Sequence, residues 1–274
     1  MIDATACVAE GARIGEGVVI GPYCIVGPGV ELGDGVRLIA HVHLSGVTRI
    51  GEGTVIYPFA SLGGPPQSVH YHGGATRLII GPHCDIREGV TVNRGTEEGN
   101  GVTRVGERCF LMVGCHVAHD CQVGNGVTFA NLASLGGHVS IGDNVVVGAL
   151  AGFHQFCRVG EGVMVGGMSP VRTDIIPFAM VRGENLRGLN VVGLRRRGAS
   201  RADLQRLRHV YRSLFFGKGV FAERVEEVAR EFAADPAVGK IIDFIRAGGK
   251  RALMRPASKS DEEGHDSGLT NKHD

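Results

Sequence analysis

The stretch LMVGCHVAHDC, residues 111–121, sets His116 and His119 three residues apart, puts Asp120 beside the second, and adds Cys115 and Cys121. These side chains could serve three chemistries. Zinc needs a complete ligand set in tetrahedral geometry, and no cysteine or carboxylate pattern completes one around His116-x-x-His119. Nucleophilic catalysis needs an activated hydroxyl or an accessible thiolate, and neither a serine elbow nor an exposed cysteine stands out. General-base catalysis fits better. A histidine titrates near neutrality, and one that removes a hydroxyl proton while the oxygen attacks a carbonyl contributes roughly 10²–10⁴-fold. Further along, Gly137 precedes His138, and His154 precedes Gln155.

What could bring these residues together is a period of six. Stepping from Ile2 by sixes meets a branched aliphatic at each position to Leu62; the phase resumes from Ile80 to Val92, and again from Val105 to Val171, 26 apolar positions in all. Gly or another small residue often follows, as in IGEG, LGDG and VGNG. Self-similarity at a fixed short period is the signature of a solenoid. Each hexapeptide reads as one short strand and one turn, with glycine permitting tight corners. Three hexapeptides make a coil of 18 residues, a triangular prism with the aliphatics inside and parallel strands about 4.8 Å apart. Four residues after each aliphatic comes a second, small inward position. Six of the seven cysteines fall there and Cys7 does not, so Cys115 and Cys121 read as core fillers.

That register places the polar residues. Gly137 lies one coil after His119 and Gln155 one coil further, flanked by His138 and His154. His119, His138 and His154 thus fall within a residue or so of one stacked line, a natural groove wall. A lone surface histidine needs no function; a stacked set asks for one. Two insertions, residues 64–77 and 95–104, are rich in glycine and polar residues and should be external loops, where binding residues tend to collect.

The period fades after Val171 and becomes helical from Ser200. Ser200 and Asp203 form a candidate capping box. Leu204, Leu207, Tyr211, Leu214 and Phe215 make one apolar face, Val225, Val228, Ala229 and Phe232 a second, and Val238, Ile241, Ile242 and Ile245 a third. The expected organisation is a β-solenoid over 1–184, a small α-helical domain over 185–256, and a polar, disordered tail over 257–274. Charge is partitioned the same way: −5, +9 and −3, against +1 for the whole chain. The near-neutral total offers no bulk electrostatic case for nucleic acid. The basic helical segment, with Leu194–Gly198 reading LRRRG, could be a solvated surface or a dock for an acidic or phosphorylated partner. The N-terminus shows no signal-peptide pattern and no apolar run approaches a membrane span. Cytoplasmic residence with free thiols is the expectation.

In order, IREGVTVNRGT, MVGCHVAHDC, GFHQFC, VMVGG and GLNVVGLRRRG make the sequence resemble the acyl-[acyl-carrier-protein]:UDP-N-acetylglucosamine O-acyltransferases. These hexapeptide-repeat enzymes open lipid A biosynthesis in Gram-negative bacteria. The resemblance runs from residue 1 to about 256. It implies a mainly β chain, a left-handed parallel β-helix followed by a small α-helical C-terminal domain. That handedness departs from the usual right-handed crossover, and periodicity alone does not predict it. It also implies His119 as general base on the glucosamine 3-hydroxyl, Asp120 as its orienting group, and the backbone N–H of Gly137 as oxyanion donor. His116, His138, His154 and Gln155 would line the groove, and Gln67 would reach the sugar or acyl group. Asn190 and Arg196 would bind the nucleotide end across a subunit boundary. Gly167 would leave the end of the acyl groove unobstructed, suiting a relatively long 3-hydroxyacyl chain.

The implied partners are acyl carrier protein, docked by the basic domain, and UDP-N-acetylglucosamine, within a homotrimer. No metal, no cofactor, no nucleic acid and no stable membrane insertion are expected. Ser68 and His70 stand where Asp and Lys are common in the family, and Val192 where some relatives carry Glu. These departures leave a 3-amino sugar nucleotide open as the acceptor. A non-catalytic hexapeptide scaffold is the rival from another class.

Overall fold

A computed structural model describes residues 1–257; the expectation for a disordered tail falls almost wholly on residues 258–274, outside that range. The strands are two to five residues long and form three sheets of nine, eight and ten strands, the three faces of a prism. Face 1 runs from Cys7–Val8 to Pro170–Val171, face 2 from Arg13–Ile14 to Arg158–Val159, and face 3 from Val19–Ile20 to Met164–Val165 and beyond. Pairing is parallel with an 18-residue step: Cys7 faces Ile25, Ile25 faces His43, and His43 faces Ser61. Ser61 then faces Thr91, and Thr91 faces His116. The longer steps absorb the two insertions, which leave the prism as loops without disturbing its phase.

The expected inward column is the core. Leu44, Ile50, Ile56, Leu62, Ile86, Leu111, Val117 and Phe129 have no measurable exposure. Ile2 is exposed, and Val8 and Ile14 are half-buried, because they belong to the first coil, which has a neighbour on one side only. The six inward cysteines are buried and Cys7 is exposed. Burial pushes the Cys121 thiol up to about 12 and those of Cys115 and Cys157 to about 11. These sulfurs stay protonated and act as small apolar fillers rather than nucleophiles or ligands.

The chain leaves the solenoid differently from the expected boundary. Ala179–Arg182 adds to face 3, and Asn185–Leu189 turns back against it, antiparallel. Residues 185–189 are therefore a strand. Their buried Leu186 and Leu189 pack on the prism, and no helical period exists there to compete. Helices follow: α1 (Val191–Arg196), α2 (Arg201–Phe216), α3 (Phe221–Glu231) and α4 (Pro236–Arg246). The Ser200–Asp203 capping box is present in both directions at the start of α2. Each of the three apolar faces read from the sequence contributes to the core, through Leu204, Leu207, Tyr211 and Leu214, through Val225 and Val228, and through Val238, Ile241 and Ile242. After α4 the chain returns to the prism as a strap, with Leu253 bridging Asp174 and Pro256 bridging Leu186.

Candidate active site

His119 and Asp120 sit at the corner where the chain turns from face 1 to face 2, directly after the strand His116–Val117. Two coils stack on that corner. His138 N–H donates to the His119 carbonyl at 2.9 Å, and Phe156 N–H donates to the Gly137 carbonyl at 3.1 Å. The columns are thus His119, Gly137, Gln155 and, beside it, Asp120, His138, Phe156. The second column is the turning one, with φ of 60°, 61° and 67°. Adjacent residues of a flat strand point to opposite faces. At this left-handed corner they do not, and that is why Asp120 reaches its own neighbour. Its Oδ2 lies 2.9 Å from His119 Nδ1.

The carboxylate is held from every side. Thr96 N–H and Asn100 N–H donate to it at 3.1 Å, and Thr96 Oγ1–H donates at 2.6 Å; both residues lie on the second insertion. The Asp120 backbone N–H donates to Thr103 Oγ1 at 2.8 Å. Asp120 is 1% exposed and His119 6%. Burial by itself raises the Asp120 carboxyl, but the bonds from Thr96 and His119 outweigh it and hold the group below its ordinary value. An ionised carboxylate only accepts hydrogen bonds. The network therefore assigns the His119 proton to Nδ1 and leaves Nε2 with a free lone pair. A β-carbon on Gly137 would come within 2.6 Å of that Nε2. Among the described residues, no acceptor bonds the Gly137 N–H. His119 Nε2 thus lies close against the Gly137 backbone.

His119 borders two cavities. The first, about 460 Å³, runs along face 1 and is lined by Gln67, His116, Gly137, His154 and Gln155, with an apolar wall of Leu135, Phe153, Pro170 and Val171. The second, about 420 Å³, lies under the first insertion and is lined by Gln67, Ser68, His70, Glu98, His138, Gln155 and Phe156. Three expected site residues stand apart. Gly167 is exposed at the opposite edge of face 1 and borders neither cavity. Asn190 caps α1, accepting from Gly193 N–H at 2.9 Å, while its amide donates to the Gly162 carbonyl at 2.9 Å. Arg196 is exposed on α1. The expectation for the latter pair was a contact across a subunit boundary, and within one chain they line neither cavity that His119 borders.

His119, Asp120 and His138 offer ligand atoms within 4.8 Å of one another. The donor set fits a hydrogen-bonded dyad better than a cation site, since the oxygens of Asp120 already accept from Thr96, Asn100 and His119.

Residues 11–46 and 103–137 match a family model described as bacterial transferase hexapeptide (six repeats). Residues 174–254 match one described as UDP-N-acetylglucosamine O-acyltransferase, domain 2. The curated acyl-[acyl-carrier-protein]–UDP-N-acetylglucosamine O-acyltransferase of Azorhizobium caulinodans is 56% identical over 94% of this chain and 96% of its own. That of Rhizobium johnstonii is 47% identical over 93% and 94%. The chain belongs to the acyl-[acyl-carrier-protein]–UDP-N-acetylglucosamine O-acyltransferase family. A crystal structure of a UDP-N-acetylglucosamine acyltransferase superposes with a TM-score of 0.91 at 38% identity, covering 94% of this chain and all of that one. The Acinetobacter baumannii enzyme gives 0.89 at 39%, covering 93% and 99%. The prism is accordingly the left-handed parallel β-helix of that family, followed by its helical domain.

The corner depends on residues that sequence reading missed. Thr91 Oγ1 lies 2.8 Å from His116 Nδ1, Thr96 and Asn100 hold Asp120, Phe156 stacks under His138, and Arg251 meets His154. Thr96 and Asn100 lie on an insertion outside the repeat, and Arg251 comes from beyond the helices, so no period could have placed them.

The site carries a pH signature. Burial, and then the neighbouring His119, hold the His116 ring below the ordinary imidazole value of 6.5. Burial likewise lowers His138; Asp120 opposes it, and His119 and Lys250 add to it. In the unfolded chain both rings take up protons near 6.5, and in the folded chain only at lower pH. The unfolded state therefore binds more protons just below 6.5, and stability falls as pH drops through that window. The urea midpoint should be lower at about pH 5.5 than at about pH 7.5, and the drop should shrink in a His116→Asn/His138→Asn variant. An equal drop in parent and variant would assign it to other groups.

Proposed function

We propose that this chain transfers an (R)-3-hydroxyacyl group from acyl carrier protein to the 3-hydroxyl of UDP-N-acetylglucosamine, the first step of lipid A biosynthesis, with His119 as general base. The observation that carries the mechanism is the His119 ring, with Nδ1 bonded to Asp120 and Nε2 close against the backbone of Gly137, whose N–H has no acceptor among the described residues. Nε2 removes the 3-hydroxyl proton while the oxygen attacks the thioester carbonyl. The tetrahedral oxyanion is met by Gly137 N–H, and Asp120 stabilises the imidazolium. Collapse breaks the carbon–sulfur bond, and the proton held on His119 goes to the departing thiolate.

The apolar wall of the first cavity suits the acyl chain and the polar second cavity suits the sugar, with His119 between them. Gln67 and Gln155 border both, while His116, His138 and His154 supply polar contacts. In this reading Asn190 and Arg196 serve a neighbouring subunit of a homotrimer, Gly167 leaves the acyl groove open at a subunit boundary, and the basic helical domain docks the acidic carrier. The reaction is cytoplasmic in this reading; among the described residues, no helix is long and apolar enough to cross a membrane.

The test is transfer assayed with UDP-N-acetylglucosamine and carrier protein loaded with 3-hydroxyacyl chains of increasing length, beside the 3-amino sugar nucleotide. Transfer to the 3-hydroxyl is expected. Transfer only to the 3-amino acceptor would change the acceptor and keep the mechanism. No transfer to either by folded protein would remove the reading and favour a scaffold.

A further inference from the structure

The strap after α4 touches the histidine corner, and the mechanism above gives it no task. It is anchored directly after Arg251. Asp174 N–H donates to the Ala252 carbonyl at 2.8 Å, Met254 N–H donates to the Asp174 carbonyl at 2.7 Å, and Leu186 N–H donates to the Arg255 carbonyl at 3.0 Å. Met254 is 2% exposed. Asp174, itself buried, is ion-paired with Arg158 at 2.7 Å. So fixed, the strap lays Arg251 across the third coil of the site. Arg251 Nε donates to the Gln155 carbonyl at 2.9 Å and Nη2 donates to His154 Nδ1. Next to it, Lys250 Nζ sits 4.0 Å over the Phe156 ring, and that ring stacks on His138 with centroids 4.5 Å apart.

A guanidinium has five donors and no acceptor, and it does not lose its proton. His154 Nδ1 must therefore accept. The Gln155 carbonyl, 3.3 Å from the same nitrogen, could have drawn a proton onto Nδ1, but Arg251 Nε already bonds it. We infer that Arg251 is a positioning residue that holds the His154 ring with Nδ1 accepting, so that its Nε2–H is offered to an accepting oxygen of the substrate in the first cavity. His154 lines that cavity. This inference rests on the proposed acyl transfer onto UDP-N-acetylglucosamine, and it goes further by giving the C-terminal strap a part in the site.

The experiment compares Arg251→Met, Arg251→Lys, His154→Gln and the Arg251→Met/His154→Gln double variant in the full-length enzyme. The histidine tautomers are read by long-range ¹H–¹⁵N NMR. In the parent, the His154 Nδ1 signal should be that of an unprotonated ring nitrogen. In Arg251→Met it should move toward a mixture of tautomers, with kcat/KM down about tenfold, on the scale of one charge-assisted hydrogen bond. A rise in KM for UDP-N-acetylglucosamine would place the accepting oxygen on the sugar nucleotide; a rise in KM for the acyl carrier would place it on the acyl donor. Arg251→Lys keeps a charged donor but not the fork, so it should keep the tautomer and stay within about threefold of the parent. In the His154→Gln background, Arg251→Met should add no further loss.

An unchanged His154 signal in folded Arg251→Met, or full additivity in the double variant, overturns the proposal. If Arg251→Met does not fold, Arg251→Lys decides: a His154 signal there that is already mixed at unchanged activity overturns it. Activity retained by a His119 variant would instead remove the general-base reading, and the tautomer signal would still judge the strap separately.

Discussion

Replacing His119 with alanine should lower kcat by about 10²–10⁴-fold, the range removed with a positioned general base. The KM for UDP-N-acetylglucosamine should move far less, because the interaction lost is one made in the transition state. The structure says why the variant should still fold. Asp120, deprived of His119 Nδ1, keeps the two backbone donors and the hydroxyl of Thr96 and Asn100, so no unpaired charge is left behind. Steady-state kinetics on protein with unchanged circular dichroism and oligomeric state is the measurement. Most of the activity surviving would move the base elsewhere, and His138, whose ring centroid lies 5.0 Å from that of His119, would be the next residue to test.

Gly137→Ala should be nearly as damaging, although it adds one methyl group. The added carbon would stand 2.5 Å from His119 Cε1 and 2.6 Å from Nε2, well inside van der Waals contact. The ring cannot simply swing aside. It is 6% exposed and tied to Asp120 at 2.9 Å. Either the dyad bond breaks or the coil shifts, and a misplacement of roughly 1 Å costs about 100-fold in rate. Overpacking should also lower stability by about 1–3 kcal/mol. The decisive measurement is the double variant with His119→Ala. Once the ring is gone the methyl group has room, so Gly137→Ala should add little further loss, a strongly non-additive pair. Independent, additive losses would mean that Gly137 does not face His119 as described.

Much of the architecture was legible because a period of six is a statement about one face of a short strand. Leu62, Leu111, Val117 and Val123 could be called inward before any coordinates, and so could Cys109, Cys115 and Cys121, since the repeat carries inward and outward positions in fixed phase. The same phase put Gly137 and Gln155 over His119. It was coarser for the other histidines. His138 stacks in the column of Asp120, and His154 one place before Gln155, so the single line of histidines is three adjacent columns at one corner.

The helical faces were equally readable, since capping and a 3.6-residue period are local properties. The strand Asn185–Leu189 was not. Five residues carry too little pattern, and it exists because face 3 offers an edge for it to pair with.

By itself, then, the sequence determined the prism, its corner residues, the helical domain and the set of polar side chains from which a base could be drawn. Those features repeat, or are settled by near neighbours along the chain. Only the tertiary structure decided that Asp120 turns onto His119, that Thr96 and Asn100 hold it there, and that a strap almost a hundred residues downstream brings Arg251 to His154. Each of those contacts depends on a left-handed corner, an insertion or a returning segment, and such placements are set by packing across the fold, which no pattern along the chain encodes.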